Sequence, residues 1–226
     1  MRPKSIYSSS IYKILLSAIL AIAIPLFNPA SGSYQLYAQE PTAKTFFDIG
    51  VQKSENTEYS QAIDAFKHAV KLKPDYAEAY YNLGHAYYNL HRYTEAIDAY
   101  KEAVKTKSNY VEAYISLGVV SSMLSRYDEA IDALKKATKA NPKNAEAYFR
   151  LGNVYSELEK TEEAIEAFKQ STKINPNFAE AHYNLGVAYL DLREKTSASA
   201  KEEYNILQKL NKELAAELLR LMQEKK

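Results

Sequence analysis

The sequence predicts an all-α fold built from tandem helical hairpins. Three observations lead to this prediction: a fixed repeat length, paired amphipathic stretches and regularly placed helix breakers. The repeat length is marked by glycines at a constant interval (84 − 50 = 34 residues), namely Gly50, Gly84, Gly118, Gly152 and Gly186. A two-helix repeat of this length cannot bury its apolar face alone, so neighbouring copies must stack.

The second copy shows the two helical stretches clearly. Leu83 and Tyr87 lie four residues apart on one helical stripe, and Ala96 and Tyr100 have the same spacing in the second stretch. Gly84 is expected where the two helices approach closely, because a side chain there would push them apart. In three copies a proline follows the second stretch and ends it: Pro74, Pro142 and Pro176.

This pattern resembles the tetratricopeptide repeat, whose signature is W-x₂-L-G-x₂-Y, then A-x₃-F, then P. The matching residues of the second copy are Tyr80, Leu83, Gly84, Tyr87, Ala96 and Tyr100, and those of the fourth are Tyr148, Leu151, Gly152, Tyr155, Ala164, Phe168 and Pro176. The resemblance implies a right-handed α-solenoid, or superhelix, with a C-terminal capping helix. Its expected parts are five hairpins at about 43–76, 77–110, 111–144, 145–178 and 179–211, and the cap at 212–226.

The fifth copy departs from the pattern in its second helix. That helix matches the fourth copy only after a shift (200 − 164 = 36 residues), which aligns Ala200 with Ala164 and Tyr204 with Phe168. We therefore expect a longer turn at Arg193–Ser197.

The capping helix has an apolar stripe of its own. The stripe consists of Leu214, Leu218, Leu221 and Met222. It predicts a solvating helix laid on the fifth hairpin, and the alternative is a partner-binding or coiled-coil helix.

The N-terminal residues, 1–38, are predicted to be a signal peptide or an N-terminal anchor. The basic start is followed by the apolar run Ile14–Ile24, which is shorter than the about 20 residues that cross a bilayer. Cleavage after Ala38 would release an exported, periplasmic or secreted protein, whereas an uncleaved segment would anchor it in a bacterial inner membrane. Residues 39–42 complete a linker rich in breakers that begins at Asn28 and ends at Thr42.

Composition restricts the chemistry. The chain has no cysteine and a formal net charge of +1, without the concentrated basic face that nucleic-acid binding needs. Among the four histidines only His85 and His91 are close in sequence, and their spacing does not put them on one helix face. Because no catalytic constellation is present, we expect a non-enzymatic protein with no metal and no cofactor.

The resemblance also implies a binding surface, because the first helices of such repeats line a concave groove. Aromatic side chains exposed beside amides suit an extended peptide, so a peptide or partner protein is the expected ligand. Glutamates near Arg150 make basic or mixed peptides a better match than acidic tails. The predicted binding residues are Phe47, Asp48, Tyr81, Asn82, His85, Ile115, Phe149, Arg150, Asn153, Tyr183 and Asn184.

Two functions are consistent with these features. The first is an interaction scaffold, exported to the bacterial cell envelope, that holds its partner in the groove. The alternative is a structural organiser, tethered to the membrane through residues 14–27, that uses convex or end surfaces.

Overall fold

The computed structural model describes residues 23–28, 33–38, 41–192 and 196–224. The chain divides into two compact units, Met1–Thr106 and Lys107–Lys226. Unit 1 contains strands β1 (Ala23–Asn28) and β2 (Ser33–Ala38) and helices α1 (Ala43–Glu55), α2 (Tyr59–Leu72), α3 (Ala77–Asn89) and α4 (Tyr93–Thr106). Unit 2 contains α5 (Val111–Met123), α6 (Tyr127–Ala140), α7 (Ala145–Glu157), α8 (Thr161–Ile174), α9 (Ala179–Asp191), α10 (Thr196–Leu210) and α11 (Lys212–Glu224).

The two strands form an antiparallel hairpin in which Ala23 pairs with Ala38 and Asn28 with Ser33. The breaker-rich stretch Asn28–Thr42 therefore includes β2, which was not predicted from the sequence. Pro29 and Gly32 fall between the strands, and the sequence Tyr-Gln-Leu-Tyr that follows them favours extended backbone. Most of the predicted signal segment, residues 1–22, lies outside the described residues.

In unit 1, α1 pairs with α2 and α3 pairs with α4, as the repeat pattern predicts. The close approach expected at Gly84 is present, because a Cβ added there would lie 2.7 Å from Cδ1 of Tyr100. Tyr100 is only 2% exposed, and Phe66 occupies the equivalent place in the first hairpin with no exposed surface. The core of this unit therefore lies between the paired helices.

Unit 2 repeats this arrangement with α5 and α6, α7 and α8, and α9 and α10. Leu134 of α6 and Phe168 of α8 are buried, and they belong to one apolar cluster that also includes Leu151 and Leu185 from the first helices. The all-α fold of tandem helical hairpins is thus confirmed. In the part of the chain described, no helix has both the length and the hydrophobicity that crossing a bilayer would require.

Helix ends follow the predicted breakers. The helices α2, α6 and α8 each end two residues before a proline. Two asparagines preceding these prolines stabilise the turns, because Oδ1 of Asn141 accepts from the amide of Lys143 at 3.0 Å and Oδ1 of Asn175 accepts from that of Asn177 at 3.1 Å. Asn144 then caps α7, accepting from the amide of Ala147 at 2.9 Å.

The turn inside each of the first four hairpins contains a residue with left-handed backbone. These residues have φ between 57° and 60°, and none of them is glycine: Thr57, His91, Ser125 and Glu159. L-residues occupy this region at a cost of about 1–2 kcal/mol, so the repeat geometry is strong enough to impose it.

The fifth hairpin differs from the other four. A Cβ added at Gly186 would lie 2.6 Å from Cδ2 of Leu218, a residue of α11 that has no exposed surface. Tyr204, which the sequence aligned with Phe168, is half-buried. The alignment of Tyr204 with Phe168 was therefore wrong, because the apolar side chain packed on the glycine comes from α11.

The second helix of that hairpin, α10, instead contributes Glu203, which is buried against His182 of α9. Nδ1 of His182 lies 2.6 Å from Oε2 of Glu203, and Nε2 of His182 lies 3.0 Å from the carbonyl oxygen of Pro176. Both nitrogens face acceptors, so the doubly protonated ring satisfies both. Burial lowers the pKa of His182, but the hydrogen bond and charge of Glu203 outweigh it, and the pKa is raised above 6.5.

Candidate functional site

The predicted binding residues lie on the first helices of the hairpins. We call the surface that the first helices of one unit form the first-helix face of that unit. In unit 1 it is formed by α1 and α3. Phe47 of α1 is half-buried, with its ring centroid 5.0 Å from that of Tyr76 and 5.9 Å from that of Phe66. Tyr81 of α3 packs in the same way, 5.8 Å from Tyr100. These aromatic side chains therefore support the hairpins as well as facing outward.

The polar members of this face in unit 1 bond within their own helices. Asp48 forms an ion pair with Lys44 at 2.8 Å. The side chain of Asn82 donates to the carbonyl of Glu78 at 2.8 Å, and the exposed ring of His85 lies 3.2 Å from the amide of Asn89. Each of these three groups is therefore positioned by a neighbour on its own helix.

In unit 2 we call the predicted hydrophobic residues of this face its hydrophobic row (Ile115, Phe149 and Tyr183) and the predicted polar residues its polar row (Arg150, Asn153 and Asn184). One member of the hydrophobic row is more buried than expected. Phe149 is 8% exposed, because its ring packs 4.7 Å from Phe178 and 6.0 Å from Phe168. The expectation that Phe149 is an exposed aromatic was wrong. Ile115 is half-buried and packs against the same cluster.

Tyr183, the last member of this row, contacts α11. Its ring packs against the cluster of Leu207, Ala215 and Leu218. Burial raises the pKa of the Tyr183 phenol, and its hydrogen bond with Glu217 of α11 adds to this rise. The capping helix thus occupies the part of the face that Tyr183 was predicted to offer to a ligand.

The polar row of unit 2 joins neighbouring hairpins. Nδ2 of Asn184 on α9 donates to Oδ1 of Asn153 on α7 at 2.8 Å. Arg150 donates to Glu146 in its own helix at 2.5 Å, and its guanidinium lies 5.5 Å from the centroid of Phe149. Three predicted residues, Arg150, Asn153 and Asn184, are therefore brought together on one surface.

Beside these residues the surface opens into a cleft of about 180 Å³ between α5 and α7. Buried Leu134 and Val154 form its floor, and Val119 and Met123 contribute an apolar wall. The remaining lining residues are Ser122, Arg150, Asn153 and Glu157. Oγ of Ser122 donates to Oε2 of Glu157 at 2.8 Å, which ties α5 to α7 at one end of the cleft.

Six of the eight residues that line the cleft are absent from the predicted set: Val119, Ser122, Met123, Leu134, Val154 and Glu157. Helical spacing could have found two of them. Met123 lies eight residues after Ile115, and Glu157 lies four residues after Asn153, so each shares a helix face with a predicted residue. The family average, which defined the predicted rows, gave no reason to extend them by one turn.

The described residues provide hydrogen-bonding groups at the cleft but no cluster of metal ligands. Within residues 41–192 and 196–224, no group of three or more histidine, aspartate or glutamate side chains could hold a metal ion. The cleft combines apolar walls with an amide, a hydroxyl, a carboxylate and a guanidinium. Such a surface can bury a side chain and bond to a peptide backbone.

Comparison with known families identifies the fold. The family described as TPR repeat matches residues 55–91, 123–158 and 152–192, and the family described as Tetratricopeptide repeat matches residues 77–110. The chain belongs to the tetratricopeptide repeat family. As a member of it, the protein is a protein-interaction scaffold, since proteins of this family are typically non-enzymatic scaffolds. No curated protein matches the sequence.

Solved structures of other tetratricopeptide proteins are similar to this chain. A crystal structure of MamA protein is 31% identical, with a TM-score of 0.69 over 74% of this chain and 92% of that one. A crystal structure of YrrB, described as a TPR protein with an unusual peptide-binding site, is 25% identical, with a TM-score of 0.67 over 80% and 93%. A thermophilic TPR protein of Thermus thermophilus, 22% identical with a TM-score of 0.57 over 80% and 99%, shares the fold.

Proposed function

We propose that this tetratricopeptide protein binds a peptide segment of a partner protein on the first-helix face of unit 2. The observation that carries the proposal is the cleft between α5 and α7, where an apolar wall lies beside Arg150, Asn153 and Glu157. Apolar pockets with a few convergent polar groups are the usual form of a ligand site. The similarity to YrrB, whose description includes a peptide-binding site, supports the same assignment.

The bond between Asn153 and Asn184 supports peptide recognition in particular. Because Oδ1 of Asn153 accepts from Asn184, the amide group of Asn153 is held in one orientation. Its Nδ2 then points its hydrogens away from that bond and can donate to a backbone carbonyl of an extended chain. An asparagine held in this way loses little side-chain entropy when the peptide binds.

A capture experiment with matched variants tests this function. The site variant carries Arg150→Ala, Asn153→Ala and Asn184→Ala, and the control variant carries three exposed substitutions on the second helices: Lys139→Ala, Glu162→Ala and Lys173→Ala. Both are crosslinked to bound proteins in the native host, and helicity is checked by circular dichroism. We expect the site variant to lose the partner that wild type and control retain. Equal capture by all three proteins would reject this face and favour convex or end surfaces.

We also propose that the protein is exported to the bacterial cell envelope. The support is sequence alone: Arg2, Lys4 and Lys13 precede the apolar run Ile14–Ile24. N-terminal sequencing of protein from fractionated cells tests it. A soluble envelope protein that starts near Gln39 is the expected result, retention of Met1 in the membrane fraction would indicate the tethered form, and Met1 on protein in the cytoplasmic fraction would reject export.

A further inference from the structure

The side chains that line the cleft between α5 and α7 indicate which kind of peptide it would bind. The inference drawn from them rests on the proposed function. The wall of the cleft is formed by Val119 and Met123, which lie with Ile115 at four-residue intervals on one face of α5. Met123 is 48% exposed, one of only two large apolar side chains with this much exposure in the part of the chain that is described. Methionine adapts its shape to the group that it contacts.

The size of the cleft matches one side chain. A cavity of about 150 Å³ is large enough for a benzene molecule, and the cleft measures about 180 Å³. A leucine, methionine or phenylalanine side chain therefore fits, with Leu134 and Val154 below it. Burying such a side chain contributes about 1.5–3 kcal/mol, which is enough to make it the anchor of a bound peptide.

The charges around the cleft favour a cation beside that anchor. The positive charge of Arg150 is offset by Glu146, with which it forms an ion pair at 2.5 Å. Glu157 is exposed at the other end, and its partner there is the neutral hydroxyl of Ser122. Across the described residues Glu157 has no cationic partner, so its charge is available to a ligand. A lysine or arginine next to the anchor would meet it.

We propose that unit 2 selects a peptide in which an apolar side chain enters this cleft and a lysine or arginine within one or two residues pairs with Glu157. Adjacent residues of an extended peptide are about 3.3 Å apart along the chain, which brings a flanking cation within reach of a carboxylate that lines the same cleft. Nδ2 of Asn153 donates to the peptide backbone between them. The occupant is thus a basic, apolar segment of a partner protein.

The test uses a phage-displayed library of random dodecapeptides selected on the immobilised full chain. Peptides enriched by wild type are synthesised and their affinities measured by fluorescence polarisation. The variants are Met123→Gln, which keeps the length of the side chain, and Glu157→Lys, with Glu202→Lys on α10 as a charge-matched control. Met123, Glu157 and Glu202 are all exposed, so the substitutions leave the core intact.

We expect enriched peptides to share an apolar residue with a lysine or arginine one or two residues away. Met123→Gln should weaken them about tenfold, since the apolar contact is lost. Glu157→Lys should weaken them about two- to fivefold and select acidic flanks instead, whereas Glu202→Lys should leave the affinity unchanged. Enriched peptides with another pattern, or binding insensitive to both variants, would overturn the cleft assignment and leave peptide binding elsewhere intact. Failure of wild type to enrich any peptide would overturn the proposed function as well.

Discussion

The replacement Leu218→Ala tests how the fifth hairpin is held together. Leu218 of α11 is fully buried and occupies the place that Phe168 fills in the preceding hairpin. Replacing a buried leucine by alanine costs about 2–5 kcal/mol, because it removes apolar contacts and leaves a cavity. Tyr204, the residue aligned with Phe168 by sequence, is half-buried, so Tyr204→Ala should cost less than about 1.5 kcal/mol.

The substitution Gly186→Ala tests the same contact from the other side. A Cβ at Gly186 would lie 2.6 Å from Cδ2 of Leu218, so Gly186→Ala alone should destabilise the protein by about 1–3 kcal/mol through overpacking. In the Leu218→Ala background the obstructing methyl group is gone, and Gly186→Ala should become neutral or stabilise the helix by about 0.5–1 kcal/mol. The two substitutions should therefore be strongly non-additive.

The assay must detect a loss of stability that is confined to the fifth hairpin, because a terminal repeat can unfold before its neighbours. Urea unfolding followed by circular dichroism gives the free energy, and hydrogen exchange of α9 and α11 locates the change. If Leu218→Ala cost less than about 0.5 kcal/mol while Tyr204→Ala cost more than about 2 kcal/mol, the packing of α11 on Gly186 would be refuted. Additive effects of Gly186→Ala and Leu218→Ala would refute their contact.

Three further substitutions test other features by urea unfolding. Because the pKa of His182 is raised, the stability that its pair with Glu203 contributes is fully present below about pH 6.5 and is lost as the pH rises through the raised pKa. His182→Gln should therefore remove this pH-dependent loss of stability. Parallel pH profiles of stability for the two proteins would contradict this expectation. Thr57→Asn should stabilise the protein by about 0.5–1 kcal/mol, because asparagine tolerates the φ of 60° better than a β-branched residue, and a loss of stability would show that strain is absent there. Ser171→Ala should cost about 1–3 kcal/mol, since the buried hydroxyl donates to the carbonyl of Ala145 at 2.9 Å, and an unchanged midpoint would exclude that role.

The repeat fold could be predicted because each hairpin uses the same local signals. Gly84 and Tyr100 illustrate this, since a small residue on one helix and a large one on the next are visible in the sequence at fixed spacing. The strands β1 and β2 were missed, because two short paired segments leave only a weak alternation. Proline and glycine were correctly taken as breakers, but they separate two strands.

The fifth hairpin shows where repeat alignment fails. In the other hairpins the large side chain that packs on the glycine lies on the next helix. At Gly186 this side chain is Leu218, which comes from the helix after that. In α10 the side chain that faces the glycine is Glu203, which a purely apolar pattern does not predict. It is tolerated because His182 offers it a charged partner within the core. Contacts that depend on two helices and a buried charge cannot be derived from one repeat.

Arg150 and Asn153 of the candidate site were predicted from the sequence, whereas Met123 and Glu157, which line the cleft, were not. The physical reason is related. Residues such as Phe149 and Tyr183 occupy positions that define the average repeat, and in this protein both serve packing. Binding surface arises where one copy departs from the average. The residues equivalent to Met123 are Asn89 in the second copy and Glu157 in the fourth, and both are polar. Among these three copies, only the third has an exposed apolar side chain at this position, where Met123 lines the cleft between α5 and α7. Specificity in a repeat protein should therefore be sought in the copy that differs most, because identical copies present an identical surface at every step.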